Sequence, residues 1–317
     1  MKMKTLGKTN IRVSEICFGT LTVGPLQRAL SIQDGLRVMQ EAVEHGINFF
    51  DTADLYNTYD YLRELLKIKN DAVICTKSYD YSAEGVRKSL ERALRELDRD
   101  YVDIYMLHEQ ESRYTFEGHS EAIEELMRAK EAGKIRAFGI STHRVEAVRD
   151  ALDFPEIEVV FPLVNPTGVG IEDGTAADMR KAAASLKAAG RGVFGMKPLG
   201  GGTLIREKKR CFAYARKMLD TGVLDAVAIG MQSPEEVRYN CRALLGESVP
   251  EELERSVGAM PRELHIDDWC EGCGSCVKKC SQKALSLKNG KASVDREKCL
   301  ACGYCAAVCP VFCLKII

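Results

Sequence analysis

Residues 270–280 read CEGCGSCVKKC, and residues 299–310 read CLACGYCAAVCP. Both runs space their cysteines as Cys-x2-Cys-x2-Cys-x3-Cys, and a proline follows the second run. In this arrangement three thiolates lie close enough to hold three corners of a four-iron four-sulfur cubane, while the fourth cysteine turns toward a second cubane. The spacing therefore predicts two [4Fe-4S] clusters near the carboxyl end of the chain.

The crossed pattern assigns eight cysteines to two ligand sets. We expect these sets to be Cys270, Cys273, Cys276 and Cys309 for cluster 1, and Cys299, Cys302, Cys305 and Cys280 for cluster 2. The alternative is a pair of zinc sites or a disulfide knot. Zinc ribbons, however, use paired Cys-x2-Cys knuckles rather than a triple run that is closed twice by Cys-x3-Cys.

The sequence around the two runs repeats as well. Residues 284–287 follow the first run as residues 313–316 follow the second, and each stretch predicts a short strand, with a hairpin turn at 288–291. The whole segment from about Arg262 onward resembles the bacterial two-cluster ferredoxins, with Ser281 where their pattern usually has proline. The five other cysteines are expected to be buried free thiols: Cys17, Cys75, Cys211, Cys241 and Cys313.

Composition limits the class of protein. The chain has 317 residues, 45% hydrophobic and 29% charged residues, and a formal net charge of −1. A nearly neutral chain does not suggest nucleic-acid binding. No apolar run reaches the roughly 18 residues of a membrane span, and the amino terminus lacks the apolar core of a signal peptide. We expect a cytoplasmic protein that binds neither membrane nor nucleic acid.

Ahead of the cysteines, short apolar strands alternate with amphipathic helices. The expected strands are 15–18, 48–51, 72–76, 101–107, 137–141, 159–163, 192–197 and 226–229. Eight such units, preceded by a hairpin that covers the barrel floor, predict a (β/α)8 TIM barrel. A doubly wound sheet is the alternative, but residues 19–24 match its glycine-rich turn poorly. The predicted domains are an α/β barrel over 1–258 and a small α+β domain over 259–317.

Polar residues stand where several predicted strands end. Asp51, Lys77 and His108 occupy strand ends, and Tyr56 lies just beyond the second strand. Barrel enzymes place their chemistry at this end. These positions resemble the catalytic tetrad of the aldo-keto reductases. The resemblance implies that Tyr56 donates a proton to a carbonyl oxygen, that Lys77 and Asp51 tune Tyr56, and that His108 orients a small carbonyl or alcohol substrate.

The resemblance also implies a site for NADP or NAD, although the sequence departs from the family there. Thr142, Phe161 and Met196 replace the usual Asn, Gln and Tyr, and the Glu236 carboxylate would repel a 2′-phosphate. The glycines of 200–203 offer bare backbone N–H groups for phosphate. The expected cofactor-binding residues are Ser141, Thr142, Lys197, Pro198, Leu199, Gly200, Gly201, Gly230, Gln232, Ser233, Glu236 and Asn240.

Electron counting leaves several functions open. A nicotinamide exchanges two electrons as hydride whereas each cluster passes one, so a direct link between them calls for a flavin such as FMN. We expect either that a flavin occupies the barrel mouth or that the clusters do not communicate with a nicotinamide site. One interpretation is carbonyl reduction with NAD(P)H and electron transfer through the clusters. The alternatives are a flavin-dependent reductase fed by an external ferredoxin, and a non-enzymatic electron carrier whose barrel docks partners. We expect the cysteine domain to pack beside the barrel mouth. Residues 109–119 form either a substrate wall or a solvated loop.

Overall fold

The computed structural model describes residues 1–317 as a barrel followed by a small cysteine-rich module. The strands of the first part are β1 Met3–Thr5, β2 Arg12–Ser14, β3 Ile16–Gly19, β4 Phe49–Asp51, β5 Val73–Ser78, β6 Val102–Leu107, β7 Ile135–Thr142, β8 Val159–Pro162, β9 Gly192–Gly195 and β10 Ala226–Gly230. Strands β3 to β10 pair in parallel and close into a barrel in which β10 meets β3. The predicted (β/α)8 fold class is confirmed, and the doubly wound alternative is wrong.

Helices surround the barrel. Their bounds are α1 Ile32–Glu44, α2 Tyr59–Leu66, α3 Ala83–Leu97, α4 Arg113–Gly118, α5 Ser120–Glu131, α6 Val145–Asp150, α7 Ala176–Ala188, α8 Lys208–Asp220, α9 Pro234–Leu245 and α10 Glu251–Ala259. Helix α3 shows why they form: the Ser82 hydroxyl caps it by accepting from Gly85 N at 3.1 Å. Its buried residues are spaced three or four apart, at Val86, Leu90, Ala93 and Leu97. None of the helices is both long enough and apolar enough to cross a lipid bilayer.

The predicted floor hairpin is present as β1 and β2, which pair antiparallel. Leu6, Ile11 and Val13 are fully buried and join the cluster of side chains inside the barrel. Gly7 has a φ of +55°, and a Cβ there would lie 2.2 Å from Gly192 N at the start of β9. The hairpin therefore closes the amino-terminal end of the barrel and leaves the opposite end as the only mouth.

The cysteine-rich module, residues 264–317, contains β11 Leu264–Ile266, α11 Ser275–Lys279, β12 Leu285–Lys288, β13 Lys291–Val294 and β14 Leu314–Ile316. Strand β11 pairs antiparallel with β14, and β12 pairs antiparallel with β13. The predicted hairpin turn is present between β12 and β13, where Asn289 and Gly290 have φ of +51° and +74°. The predicted domain boundary after residue 258 falls in the last turn of α10.

The module packs on the loop that follows β9, which lies at the carboxyl ends of the barrel strands. Ile316 N donates to Gly201 O at 3.0 Å, and a Cβ on Gly202 would lie 2.0 Å from Ile316 O. A Cβ on Gly303, in the module, would meet Thr203 O at 2.8 Å. These close backbone approaches place the module beside the mouth, as the sequence analysis expects.

Candidate active site and cluster sites

The four predicted tetrad residues come together at the barrel mouth. Lys77, which is 1% exposed, donates to both carboxylate oxygens of Asp51 at 2.8 and 3.0 Å and to Thr52 O at 2.7 Å. Burial alone would disfavour the ammonium, yet the Asp51 carboxylate raises the pKa of Lys77 above its ordinary value. Lys77 is therefore a fixed positive charge that is held at the end of β5 by its partner from β4.

Tyr56 lies beside this cation, in a single helical turn over Asp54–Tyr56. The Lys77 Nζ atom is 4.8 Å from the centre of the Tyr56 ring. Burial raises the pKa of Tyr56 to about 12, while the Lys77 charge acts in the opposite direction. The tuning of Tyr56 by Lys77 is therefore the smaller effect, and burial is the larger one. The phenol keeps its proton at neutral pH and can donate it.

His108 completes the group. Its ring centre lies 5.9 Å from that of Tyr56, and it stacks on the ring of Tyr79 at 4.3 Å. Burial, and then the charge of Lys77, lowers the pKa of His108 well below its usual range. Its buried Nδ1 atom has no hydrogen-bond partner. His108 is consequently a neutral imidazole with unused hydrogen-bonding capacity beside the proton donor.

A second polar group adjoins the tetrad, and sequence reasoning assigned it no role in the chemistry. Lys197 Nζ lies 2.7 Å from His143 Nε2, and His143 Nε2 lies 3.7 Å from Glu109 Oε1. The Tyr79 hydroxyl donates to Glu109 Oε2 at 2.6 Å. Glu109 and His143 each stand just after a barrel strand, which is the signal that could have identified them. The first residue of segment 109–119 thus belongs to the site.

One cavity connects these groups to the far side of the mouth. It has an empty volume of about 1200 Å³, is open to solvent, and is lined by Asp51, Tyr56, Lys77 and His108. Eight of the predicted cofactor-binding residues also line it: Lys197, Pro198, Leu199, Gly201, Gly230, Gln232, Glu236 and Asn240. The predicted tetrad and most of the predicted cofactor-binding residues therefore share one solvent-open cavity.

Four predicted cofactor-binding residues do not line the cavity. Ser141 and Thr142 are fully buried, and their hydroxyls accept from the backbone N atoms of Glu109 and Arg144, both at 2.9 Å. Ser233 caps α9 by accepting from Glu236 N at 3.2 Å. Gly200 faces Val169, because a Cβ there would meet that side chain at 2.6 Å. These residues shape the loops rather than the wall of the cavity.

The glycine turn at 200–203 differs from the predicted phosphate cradle. The N–H groups of Gly200, Gly202 and Thr203 already donate to Lys197 O, Leu199 O and Gly200 O at 2.8 to 3.2 Å. The expectation of bare N–H groups is therefore wrong for these three residues. Gly202 is needed instead because the backbone of Ile316, in β14 of the module, approaches it too closely for a side chain.

Glu236 also differs from its expected behaviour. Its carboxylate accepts from Gln232 N at 2.8 Å and forms an ion pair with Arg262, which lies between α10 and β11. Arg262 lines the cavity, as does Lys208, whose Nζ lies 4.0 Å above the ring of Tyr239. The carboxylate is thus neutralised, so its predicted repulsion of a 2′-phosphate does not hold in the folded chain.

The eight predicted ligand cysteines form two groups with the crossed membership that their spacing predicts. One cavity in the module is lined by Cys270, Cys273, Cys276 and Cys309, and another by Cys280, Cys299, Cys302 and Cys305. Nowhere do three or more His, Cys, Asp or Glu side chains converge on the position of one metal ion. Four thiols around a cavity fit a cubane better than a single zinc ion.

Backbone and side-chain donors reach the ligand sulfur atoms. Ala292 N donates to Cys270 Sγ at 3.3 Å, and Ala284 N donates to Cys280 Sγ at 3.4 Å. Cys313 lines the first cavity, and its sulfur lies 3.4 Å from Cys309 Sγ. The sequence analysis treats Cys313 as an inert buried thiol, but the structure places it against a predicted ligand.

Comparison with protein families finds two matches along the chain. The model described as "Aldo/keto reductase family" matches residues 15–225, and that described as "4Fe-4S dicluster domain" matches residues 263–310. The first match covers the barrel up to the start of β10. The second begins just before β11 and extends through both cysteine runs.

Curated relatives share part of the chain. An L-galactose dehydrogenase from Arabidopsis thaliana is 30% identical over 220 residues, which cover 65% of this chain and 68% of that protein. A NADH-specific methylglyoxal reductase from Escherichia coli is 28% identical over 192 residues, which cover 50% of this chain and 58% of that protein. These matches are of limited length, so they bear on the family rather than on a substrate.

Solved structures share the barrel. An aldo-keto reductase from Bacillus halodurans, in its holo form, aligns with a TM-score of 0.65 at 22% identity and covers 81% of this chain and 95% of that chain. A Pseudomonas aeruginosa protein described as an aldo-keto reductase aligns with a TM-score of 0.66 at 23% identity, over 77% and 94% of the two chains. At this identity the likeness concerns the fold alone.

Proposed function

The chain belongs to the aldo/keto reductase family and carries a 4Fe-4S dicluster domain, and from this premise we propose that it interconverts a carbonyl and an alcohol with NAD(P)H at Tyr56, while its two clusters carry single electrons separately from that hydride transfer. The observation that carries the proposal is the convergence of Asp51, Tyr56, Lys77 and His108 on one cavity. These residues come from β4 with the turn after it, from β5 and from the end of β6, and they lie side by side at the barrel mouth as this chemistry requires.

The residues divide the work of the reaction. A reduced nicotinamide bound in the cavity would supply hydride to the carbonyl carbon. Tyr56 then gives its phenolic proton to the carbonyl oxygen, and the C–O double bond becomes the single bond of the alcohol. Lys77, anchored by Asp51, stabilises the tyrosinate that remains, and the neutral His108 can donate to the carbonyl oxygen. In the oxidative direction the proton and the hydride move the opposite way.

The dinucleotide proposal covers both NADH and NADPH. Because Arg262 neutralises Glu236 and Lys208 stands nearby, the far end of the cavity does not carry the negative charge that would exclude a 2′-phosphate. One relative is named as NADH-specific. Initial rates with each coenzyme measure the preference. A flavin gains no support from the family or from its relatives, and the absorbance of the supernatant from denatured protein tests for one.

The module supports the electron-transfer part of the proposal. Around the second cysteine group, Lys278, Lys279 and Lys283 are exposed and have no carboxylate within 4 Å, and Leu300 and Tyr304 are about 60% exposed. Such a basic face with apolar side chains suits an acidic redox protein such as a ferredoxin. Eight cysteines that hold clusters must stay out of disulfides, and on this ground we propose a reducing, cytoplasmic location.

Replacement of the proton donor tests the enzymatic proposal. Tyr56→Phe should lower kcat for carbonyl reduction by about a thousandfold, because no other tyrosine lines the cavity and could donate the proton instead. The matched control is Tyr214→Phe on α8, which removes a half-buried hydroxyl outside the cavity. Iron and acid-labile sulfide contents should stay unchanged in both variants. Full activity in Tyr56→Phe would contradict the proposal. A wild-type protein whose clusters are reduced by dithionite but which turns over no carbonyl compound would favour an electron carrier.

A further inference from the structure

The charges of the cavity do not balance. The cavity is lined by five cationic side chains and three carboxylates: Lys77, Lys197, Lys208, Arg262 and Lys315, with Asp51, Glu109 and Glu236. Lys77 pairs with Asp51, Arg262 with Glu236, and Lys315 with Asp267 of the module. Lys197 and Lys208 have no carboxylate within 4 Å, so two lysines remain for anions that enter the cavity.

These two lysines lie at different ends. Lys208 stands near Arg262 and Glu236, at the end proposed for the phosphates of the dinucleotide. Lys197 stands at the catalytic end, where its charge adds to burial and to Lys77 in lowering the pKa of His108. An anionic group held by Lys197 would therefore lie beside the substrate carbonyl rather than beside the adenosine end of a coenzyme.

The position of Lys197 is built by the chain. Its backbone has a φ of +56°, a left-handed conformation that non-glycine residues rarely adopt. The turn is held because Gly200 N donates to Lys197 O at 2.8 Å. The ring of Phe312, from the module, lies 4.9 Å from Nζ, and His143 Nε2 lies 2.7 Å away on another side. Barrel and module together therefore fix an ammonium group that still faces the cavity.

We propose that Lys197, positioned by His143, binds a carboxylate of the substrate, so that the carbonyl compound reduced at Tyr56 is an oxo acid and the alcohol oxidised there is a hydroxy acid. This inference rests on the proposed function of the same cavity. A lysine ammonium has three N–H groups. One donates to His143, and the other two are free for the oxygens of a carboxylate. Among the predicted cofactor-binding residues, Lys197 is thereby reassigned to the substrate.

A matched pair of probes tests the assignment. 4-Carboxybenzaldehyde carries a carboxylate, and methyl 4-formylbenzoate presents the same aldehyde without the charge. In the anaerobically prepared full chain with its clusters, Lys197→Met should raise KM for the acid about ten times more than it raises KM for the ester, because only the acid loses a charged partner. Lys197→Arg should restore most of the affinity for the acid.

The outcomes separate this inference from the proposed function. An equal change for acid and ester in Lys197→Met, or no preference for the acid in the wild type, overturns the carboxylate site. If the wild type reduces neither aldehyde, the proposed reaction is wrong. Titration calorimetry with the acid then tests the carboxylate site independently of the reaction. Binding that weakens about tenfold in Lys197→Met supports the site, whereas equal binding by both proteins, or no binding by the wild type, overturns it.

Discussion

The cavity has a barrel side, formed by Asp51, Tyr56, Lys77 and His108, and a module side, formed by loop 196–204 with β14. Each side presents a lysine. Lys77 is paired with a carboxylate, and its pKa lies above the ordinary value. Lys197 faces His143 instead, and burial with the nearby charge of Lys315 lowers its pKa to about 7.

The difference shows what the module contributes to the site. The surroundings of Lys77 come from β4, β5 and the residues just after β4, all of them parts of the barrel. Two groups that surround Lys197, Phe312 and Lys315, come from the module. The barrel therefore creates the proton-donor site by itself, whereas the properties of the second lysine depend on the docked module. Four experiments can break or sharpen this distinction.

The largest effect is expected on the barrel side. Asp51→Asn leaves the ammonium of Lys77, which is 1% exposed, without its charge partner. Removal of one member of a buried ion pair lowers the free energy of unfolding by about 3–5 kcal/mol. Anaerobic urea denaturation followed by far-UV circular dichroism measures the loss.

The control for this variant removes both charges. Asp51→Leu combined with Lys77→Met should recover most of the lost stability, because no unpaired charge remains buried, without any recovery of carbonyl reduction. A double variant that is less stable than Asp51→Asn would show that packing around the pair, and not its charge, dominates the barrel side.

The next effect concerns docking of the module. Gly202→Ala would bring a Cβ to within 2.0 Å of Ile316 O at a φ of +84°, so we expect β14 to separate from loop 196–204. Gly222→Ala is the matched control, because Gly222 has a φ of +72° and a Cβ added to it would meet no heavy atom within 4 Å. Both variants should lose about 1 kcal/mol from backbone strain.

Limited proteolysis distinguishes the two glycine variants. Gly202→Ala should be cleaved faster between α10 and β11, while Gly222→Ala should resemble the wild type. In Gly202→Ala the pKa of Lys197 should rise toward that of a free lysine, because burial by the module is lost, and Lys77 should be unaffected. Equal protection of both variants would mean that the module is not held at the mouth through this contact.

Sequence alone predicted the barrel side better than the module side, for a physical reason. Asp51, Lys77 and His108 each stand at or just after a strand end, so the strand pattern locates them. The ligand cysteines are predicted equally well, because each run binds a cubane through cysteines spaced within about ten residues of one another.

Contacts between distant parts of the chain escaped prediction. Gly202 and Ile316 touch although more than a hundred residues separate them, so the glycine turn resembled a phosphate site when read locally. The pairing of Glu236 with Arg262 has the same origin, because it depends on where the segment after α10 passes. In both errors the environment of the residue is set by packing against a distant segment and not by its own strand or helix.

The third experiment uses pH. Charged or titratable groups that act on Lys197 are His143, Lys315, Glu109, Asp267 and Lys77. Below pH 7 Lys197 carries its charge before a carboxylate arrives, whereas above pH 7 binding must first take up a proton. KM for 4-carboxybenzaldehyde should therefore rise by up to about tenfold per pH unit above 7, and KM for the methyl ester should not.

Lys197→Arg is the control for the pH dependence. Arginine keeps its charge from about pH 6 to about pH 9, so KM of this variant for the acid should not depend on pH within that range. A slope that persists in Lys197→Arg would assign the titration to another group, His143 being the nearest.

The smallest effect is expected within the module itself. The two cysteine groups differ because Cys313 lies against the first and no fifth cysteine lines the second. A ligand thiolate carries no proton, so across the 3.4 Å between the sulfur atoms Cys313 must be the donor and Cys309 the acceptor. Hydrogen bonds to ligand sulfur stabilise the reduced cluster and raise its potential.

Cys313→Ala should therefore lower the potential of cluster 1 in a redox titration followed by electron paramagnetic resonance. Cluster 2 is the internal reference, and Cys241→Ala on α9 controls for loss of a buried thiol elsewhere. Equal shifts of both clusters would instead indicate a general loosening of the module.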